Sequence, residues 1–348
     1  MSFSFPGGAI MRITKRDVEA LLSIARYRFL TPSQIERLHF PNLKKAQLRL
    51  KFLFESGLVG RVAQPSPIIQ GKSEFVYFLK KKSLEALECL NGSFSGSQSN
   101  LIIPSHIPRA INHFLDINSA GIAFEVSAAR TADSACPIKC HFIPEYLKEV
   151  SERDGRLRKA IDAHSFNGKK LPDENRIKPD FVMALDKGEG RKLLFFGEID
   201  RGTESILSAS ADKYCLKRKI GAYVACFDNG HYKAYEKNFG AAFNGFRVLF
   251  ITTTEERLRN VLDALTSFDD VAFFWLTTLD KLDGDVLTSR IWRTASPGEK
   301  LQAIIKTDGQ TDGLIGDSSH QSHPDIKTRK PSNEGRETGF PGLLHHPE

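Results

Sequence analysis

Leu193-Leu-Phe-Phe-Gly-Glu-Ile-Asp-Arg-Gly-Thr-Glu204, LLFFGEIDRGTE, is the stretch on which the fold turns. Four large apolar residues in succession describe a strand covered on both faces. Glu198 and Asp200 follow at its end. Alternate side chains of a strand share a face, so the two carboxylates project together where the apolar run stops. Upstream stand PDFVMAL (179–185) and the glycine-bearing turn DKGEGRK (186–192). Two strand-like runs around such a turn make a β-hairpin. In an antiparallel pair the start of one strand lies opposite the end of the other, which carries Asp180 toward Glu198 and Asp200.

Three carboxylates in one place repel unless a cation sits among them. Oxygen donors of this kind suit Mg²⁺ or Mn²⁺, with water and phosphate oxygens completing the shell. Such an ion would polarise a phosphodiester and activate water for attack. The expected metal ligands are Asp180 and Glu198. A metal-free alternative pairs Asp180 and Asp200 with Arg176 and Arg201, so that the acids only fix the hairpin.

Working outward, 108–131 has the apolar spacing of a helix, CHFIP (140–144) reads as a strand, and a polar insertion runs to Asn175. After the hairpin, 204–221 returns to helix, GFRVLFIT (245–252) is a buried strand, 254–267 a helix and VAFFWLT (271–277) a last strand. The order is α-β-β-β-α-β-α-β. His113 and Asp116 stand one turn apart on the first of these helices. Cys136-x-x-x-Cys140-His141 lacks the second ligand pair that a structural zinc site needs, and the glycines of GEIDRG are no phosphate loop because no Gly-Lys-Ser/Thr follows.

The N-terminal part has a different rhythm. Thr14, with Asp17 three residues later, is set to cap a helix over 13–28. Thr31 and Pro32 start a second, Pro being favoured at the first helical position. LKKAQLRLKFLFESG (43–57) forms a third, with Leu43, Ala46, Leu50, Leu53 and Phe54 on one face and Gly57 as its stop. LVGRVAQ and SEFVYFLKK follow as strands joined by a loop at 65–72. Three short helices and a hairpin are the order of a winged helix-turn-helix, in which the third helix enters the major groove. The candidate DNA contacts are therefore Lys44, Lys45, Gln47, Arg49 and Lys51.

Charge agrees with that placement. Of the net +7 on 348 residues, residues 1–90 carry 15 Lys/Arg against 7 Asp/Glu, so the excess is confined to one segment. A local basic excess fits a polyanion. No apolar run reaches the roughly 18–20 residues a membrane span requires, the N-terminus lacks the pattern of a signal peptide, and five scattered cysteines fit a reducing compartment. A cytoplasmic protein is expected. The expected domains are 1–90, a Gly/Ser-rich linker at 91–104, an α/β domain at 105–295 and a disordered, polar tail at 296–348, whose His320, His323, His345 and His346 are read as solvated.

Pro179-Asp180 and Glu198 on a central hairpin resemble the PD-(D/E)xK nuclease superfamily, with its α-β-β-β-α-β core. The family lysine two residues after the glutamate is Asp200 here. Some members carry the lysine on the following helix, where the resemblance points to Lys213 or Lys217. Asp116 would match the helical acid. Across residues 12–280, a basic winged helix joined to RIKPDFVMAL…FFGEIDRGTES…DKYCLKRKIGAY is similar to the replication-relaxation family of plasmids and integrative elements, which implies a role in plasmid replication, DNA relaxation and mobilisation.

The fold class expected is α+β, a winged helix-turn-helix joined to a restriction-endonuclease-like PD-(D/E)xK domain. Three functions fit it: a DNA-binding accessory factor acting at an origin region, a Mg²⁺- or Mn²⁺-dependent endonuclease with Asp180, Glu198, Asp200 and Lys213 as its catalytic set, or a transcriptional regulator with a degenerate nuclease-like domain. The expected partners are double-stranded DNA and a relaxase or replication protein, with a homodimer as a further assembly and no membrane.

Overall fold

In the computed structural model the described residues are 2–4, 10–64, 74–91, 104, 107–134, 136–150, 157–159, 161, 165–166, 169–172, 175–188, 192–202, 216–295 and 300–306. Most of the expected linker and tail, the loop at 65–72 and Lys213 lie outside them. The architecture is mixed α and β.

A short antiparallel pair, Ser2–Ser4 with Ile10–Arg12, precedes three helices: α1 (Lys15–Tyr27), α2 (Pro32–His39) and α3 (Leu43–Glu55). Each starts where a side chain takes up a backbone N–H left without a helical partner. Thr14 with Asp17 and Thr31 with Gln34 form reciprocal capping boxes, and Asn42 accepts from the Lys45 N–H at 3.0 Å. Strands β1 (Val59–Ala63) and β2 (Phe75–Leu79) pair antiparallel, and Leu30, between α1 and α2, bridges to Tyr77. Helix α4 (Lys81–Asn91) follows.

Helix α5 (Ile111–Ala129) leads into β3 (Lys139–Pro144), β4 (Phe181–Asp186), β5 (Lys192–Asp200), α6 (Leu216–Asp228), β6 (Phe246–Thr252), α7 (Glu255–Leu265), β7 (Phe274–Thr278) and the two-residue β8 (Arg293–Thr294). The six strands form one sheet in the order β8-β7-β6-β5-β4-β3. Strand β4 runs antiparallel to both β3 and β5, β5, β6 and β7 run parallel, and β8 is antiparallel to β7. The helices and long strands read from periodicity recur in the expected order, and the structure adds two short antiparallel pairs in the polar insertion, Lys148–Val150 with Leu157–Lys159 and Ser165–Phe166 with Lys169–Lys170, besides β8. The helix read over 204–221 continues past Gly221 to Asp228, because its buried face of Leu216, Ile220, Tyr223 and Cys226 keeps helical spacing, and its first part, 204–215, lies outside the described residues.

The sheet is covered on both faces. Phe181, Met183, Leu185, Phe195 and Ile199 pack toward α5, and Val182, Ala184, Leu194 and Phe196 toward α6 and α7. Every residue from Leu194 to Asp200 in β5 is buried, as expected of a central strand in a doubly covered sheet. Gly197 has a local reason. A Cβ there would lie 1.9 Å from the Phe181 ring, which sits directly across the strand pair. The glycine lets the aromatic ring close over β5.

The core on the α5 side runs without a break into the N-terminal helices. Asn118, fully buried in the middle of α5, donates its amide to the carbonyls of Tyr27 (3.2 Å) and Phe29 (2.6 Å) and accepts from the Tyr146 hydroxyl at 2.5 Å. Gln34 of α2 donates to the Leu115 carbonyl at 2.8 Å and to Ser119 at 2.9 Å. Removing the Asn118 amide strands the Phe29 carbonyl and the Tyr146 hydroxyl in apolar surroundings, while the Tyr27 carbonyl keeps the Phe29 N–H, and each buried orphan costs on the order of 1–3 kcal/mol. We therefore expect Asn118→Ala to destabilise the full chain by about 3 kcal/mol, read as a lower urea midpoint with an unchanged slope.

Candidate functional site

The register of the central hairpin sets the geometry. Phe181 is opposite Gly197, so Asp180 stands across from Glu198 one step beyond the ladder, and its N–H donates to the Gly197 carbonyl at 2.9 Å. The side chain of Asp180 turns across the strand ends. Its Oδ2 accepts from the Ile199 N–H at 2.7 Å, and its Oδ1 lies 3.0 Å from His113 Nε2 on the first turn of α5.

Glu198 points to the opposite face and is only 2% exposed. Its Oε1 accepts from the Tyr223 hydroxyl at 2.5 Å and its Oε2 from Lys219 Nζ at 3.0 Å, both partners lying on α6. Burial pushes its pKa up to about 7, helped by the negative charge of Asp180 and opposed by Lys219 and Tyr223. A carboxyl that titrates near neutrality can give and take a proton at working pH. Asp200 takes a third partner: its Oδ2 accepts from Arg257 Nε of α7 at 2.8 Å, and its Oδ1 from the Gly202 N–H at 2.7 Å.

The three acids thus gather at one end of the hairpin, Glu198 against Lys219, Asp200 against Arg257 and Asp180 against the His113 ring. Glu198 and Asp180 feel each other's charge, whereas Asp200 is held apart by Arg257. The lysine that meets Glu198 is Lys219. Lys217, two residues away, bonds Ser267 at 3.2 Å. The arginine pairing differs as well, since Arg201 pairs with Asp116 and Arg176 donates Nε to the Leu171 carbonyl at 2.7 Å. Burial raises the Asp116 pKa, against the pull of Arg201. Burial by itself would lower the His113 pKa, but Asp180, Glu145 and Asp116 outweigh it and raise it above the usual value.

Both oxygens of Glu198 are occupied by donors, and the group is shut from solvent. Among the described residues, the His/Cys/Asp/Glu donors close enough to share an ion are His113, Glu145 and Asp180.

On α3, Lys44, Lys45, Gln47 and Lys51 are exposed, together with Leu43 and Leu48, the latter 67% exposed. Lys51 makes a surface pair with Glu55 at 3.8 Å. Arg49 has another role. It grips the fully buried Asp17 with Nε at 2.8 Å and a second guanidinium nitrogen, while its face lies 4.5 Å from the centre of the Phe52 ring. Burial would raise the Asp17 pKa, but the Arg49 and Thr14 hydrogen bonds outweigh it and hold the carboxyl below its usual value. Arg49 is thus built into the joint between α1 and α3. Beside it, Lys15, Arg16, Phe40, Lys45 and Leu48 line a cleft of about 520 Å³.

A profile of the replication-relaxation family matches residues 21–241. The chain belongs to the replication-relaxation family. The match runs from the second half of α1 through α6 and so contains Asp180, Glu198, Asp200 and Lys219. Comparison with curated proteins and with solved structures gives no match. Among the described residues of this replication-relaxation protein, no helix is long and apolar enough to cross a membrane.

Two measurements follow from this geometry. Removing one partner of a buried ion pair leaves the other charge uncompensated, at a cost of about 3–5 kcal/mol. Arg49→Ala should accordingly lower the urea stability by roughly 3 kcal/mol, whereas Lys44→Ala and Lys45→Ala should stay within about 0.5 kcal/mol. For Glu198, the unfolded carboxyl titrates near 4.5 and the folded one near 7, so the folded state binds more protons between those values. Stability from this group is full below about 4.5 and is lost as pH rises through about 7. Glu198→Gln removes that dependence. The melting temperature of the variant minus that of the native protein should therefore be more positive at pH 8 than at pH 5.

Proposed function

We propose that this replication-relaxation protein is a DNA-binding accessory factor of plasmid or mobile-element replication, relaxation or mobilisation, acting on duplex DNA at an origin region. The observation that carries the reading is α3. It presents Lys44, Lys45, Gln47 and Lys51 to solvent beside the bared apolar side chain of Leu48. Family membership supports the replication setting. The order α1, Leu30 bridge, α2, α3, β1, β2 supports a winged helix-turn-helix, in which the third helix lies in the major groove. The lysines then meet phosphates, Gln47 can reach an adenine edge, and Leu48 can touch a thymine methyl. A relaxase or replication protein is the protein partner in this reading, and a second copy of the chain is a further candidate.

A second reading is favoured by one observation. Lys219 reaches Glu198 from the helix after the hairpin, the place from which some PD-(D/E)xK nucleases supply their lysine. The α5-β3-β4-β5-α6-β6 order, with acids on the central hairpin, supports that fold for the second half. The catalytic set would then be Asp180, Glu198 and Lys219.

Binding of a labelled duplex at several salt concentrations tests the first reading. Lys44→Ala/Lys45→Ala/Lys51→Ala in the full chain should bind at least ten-fold more weakly. Its log-affinity against log-salt slope should shrink by about 0.9 for each phosphate contact removed. Unchanged affinity and slope would take α3 out of the interface. Supercoiled plasmid with Mn²⁺ tests the second reading: nicking by the native protein and not by Glu198→Ala would establish the nuclease.

A further inference from the structure

We propose that His113, Glu145 and Asp180 form a binding site for a first-row divalent metal ion, distinct from the Asp180–Glu198 pair that a PD-(D/E)xK nuclease would use. The three residues come from three elements that meet at one corner of the sheet. His113 is on the first turn of α5, Glu145 follows the last residue of β3, and Asp180 precedes β4. One donor atom from each lies within 4.8 Å of the other two. Around a six-coordinate ion with bonds of about 2.1 Å, donors sit about 3.0 Å apart when adjacent and about 4.2 Å apart when opposite. Small side-chain rotations close the difference.

The supporting backbone is fixed where precision is needed. The Glu145 N–H donates to the Asp180 carbonyl at 2.7 Å, tying two of the ligand-bearing residues together. The third rides on α5, which Asn118 and Gln34 anchor one and two turns further along. All three ligand residues are half-buried, so coordination positions stay open to water or to a phosphate oxygen. With a neutral imidazole the trio carries two negative charges, which a divalent ion cancels. The neighbouring acids Glu198, Asp116 and Asp200 are paired with Lys219, Arg201 and Arg257.

The donor set selects the ion. Mg²⁺ favours an all-oxygen shell with several waters. An imidazole nitrogen beside two carboxylates suits ions that accept both donor types, such as Mn²⁺, Fe²⁺ or Zn²⁺. The proposal does not rest on the DNA-binding reading and stands whether or not the protein cuts DNA.

Electron paramagnetic resonance with Mn²⁺ on the metal-stripped full-length protein tests it. The free-ion signal counts bound Mn²⁺, and pulsed measurement detects a coupled imidazole nitrogen. The expected result is one bound Mn²⁺ with nitrogen coupling, which His113→Gln abolishes, an affinity at least ten-fold lower in Glu145→Gln, and no change in Glu198→Gln. Three results would overturn the site: no binding at millimolar Mn²⁺, a bound ion without nitrogen coupling, or binding that survives His113→Gln but fails in Glu198→Gln. Should His113→Gln fail to fold, Glu145→Gln decides alone, and an affinity within two-fold of the native protein refutes the proposal.

Discussion

The amide of Asn118 sits inside a helix that is covered on two sides, and much of the molecule is placed by what that amide holds. Between α1 and α2 the chain turns sharply through Arg28, whose φ of 64° lies in a region that side-chain-bearing residues rarely adopt. The flanking carbonyls of Tyr27 and Phe29 need donors, because buried backbone acceptors are costly to leave unmade. Asn118 supplies both and also anchors Tyr146, just beyond β3. One side chain therefore ties the bend of the N-terminal helices, the middle of α5 and the approach to the hairpin into a single joint. Its neighbours on α5 carry the consequences: His113 is delivered to Asp180, and Asp116 to Arg201.

On the far face the constraint is charge rather than shape. Glu198 lies where an apolar residue would pack more cheaply, and its raised pKa expresses the cost of ionising it there. Lys219 and Tyr223, one turn apart on α6, offset part of that cost. A buried acid of this kind is poor evidence for stability. Such perturbed groups cluster at functional sites. The cost falls on the α6 side of the hairpin, close to Asp180, which faces α5.

Much of this was legible from residue order. The run LLFFGEID could be read as a central strand because it is apolar on both faces, and the Pro179–Asp180 start of its partner fixed which acids would meet. Helix caps at Thr14 and Thr31 were readable because their reciprocal partners stand at fixed offsets. What sequence could not give was helix phase against the sheet. Lys213, Lys217 and Lys219 all precede or open α6, and the choice among them depends on which face packs inward. The spacing of Leu216, Ile220 and Tyr223 puts Lys219 beside the buried stripe and turns Lys217 away, a signal visible only once the helix is known to run on to Asp228. Arg49 is a related case: on a helical wheel it is one of several basic residues, and only the packing of α1 against α3 makes it the partner of Asp17. Glu145 and Arg257 are far from the hairpin in sequence, so no local pattern joins them to it.

The sheet ends in two unlike margins. At one side stands β8, two residues long; at the other stands β3, which opens with Lys139 and closes with Pro144. A proline has no N–H to offer to an incoming strand, a lysine resists being stacked against its own copy, and two residues give too short a template for pairing. Copies of a chain brought close together risk joining sheet to sheet into insoluble ribbons. These margins steer such crowding away from backbone pairing and leave side-chain surfaces as the means by which copies can meet.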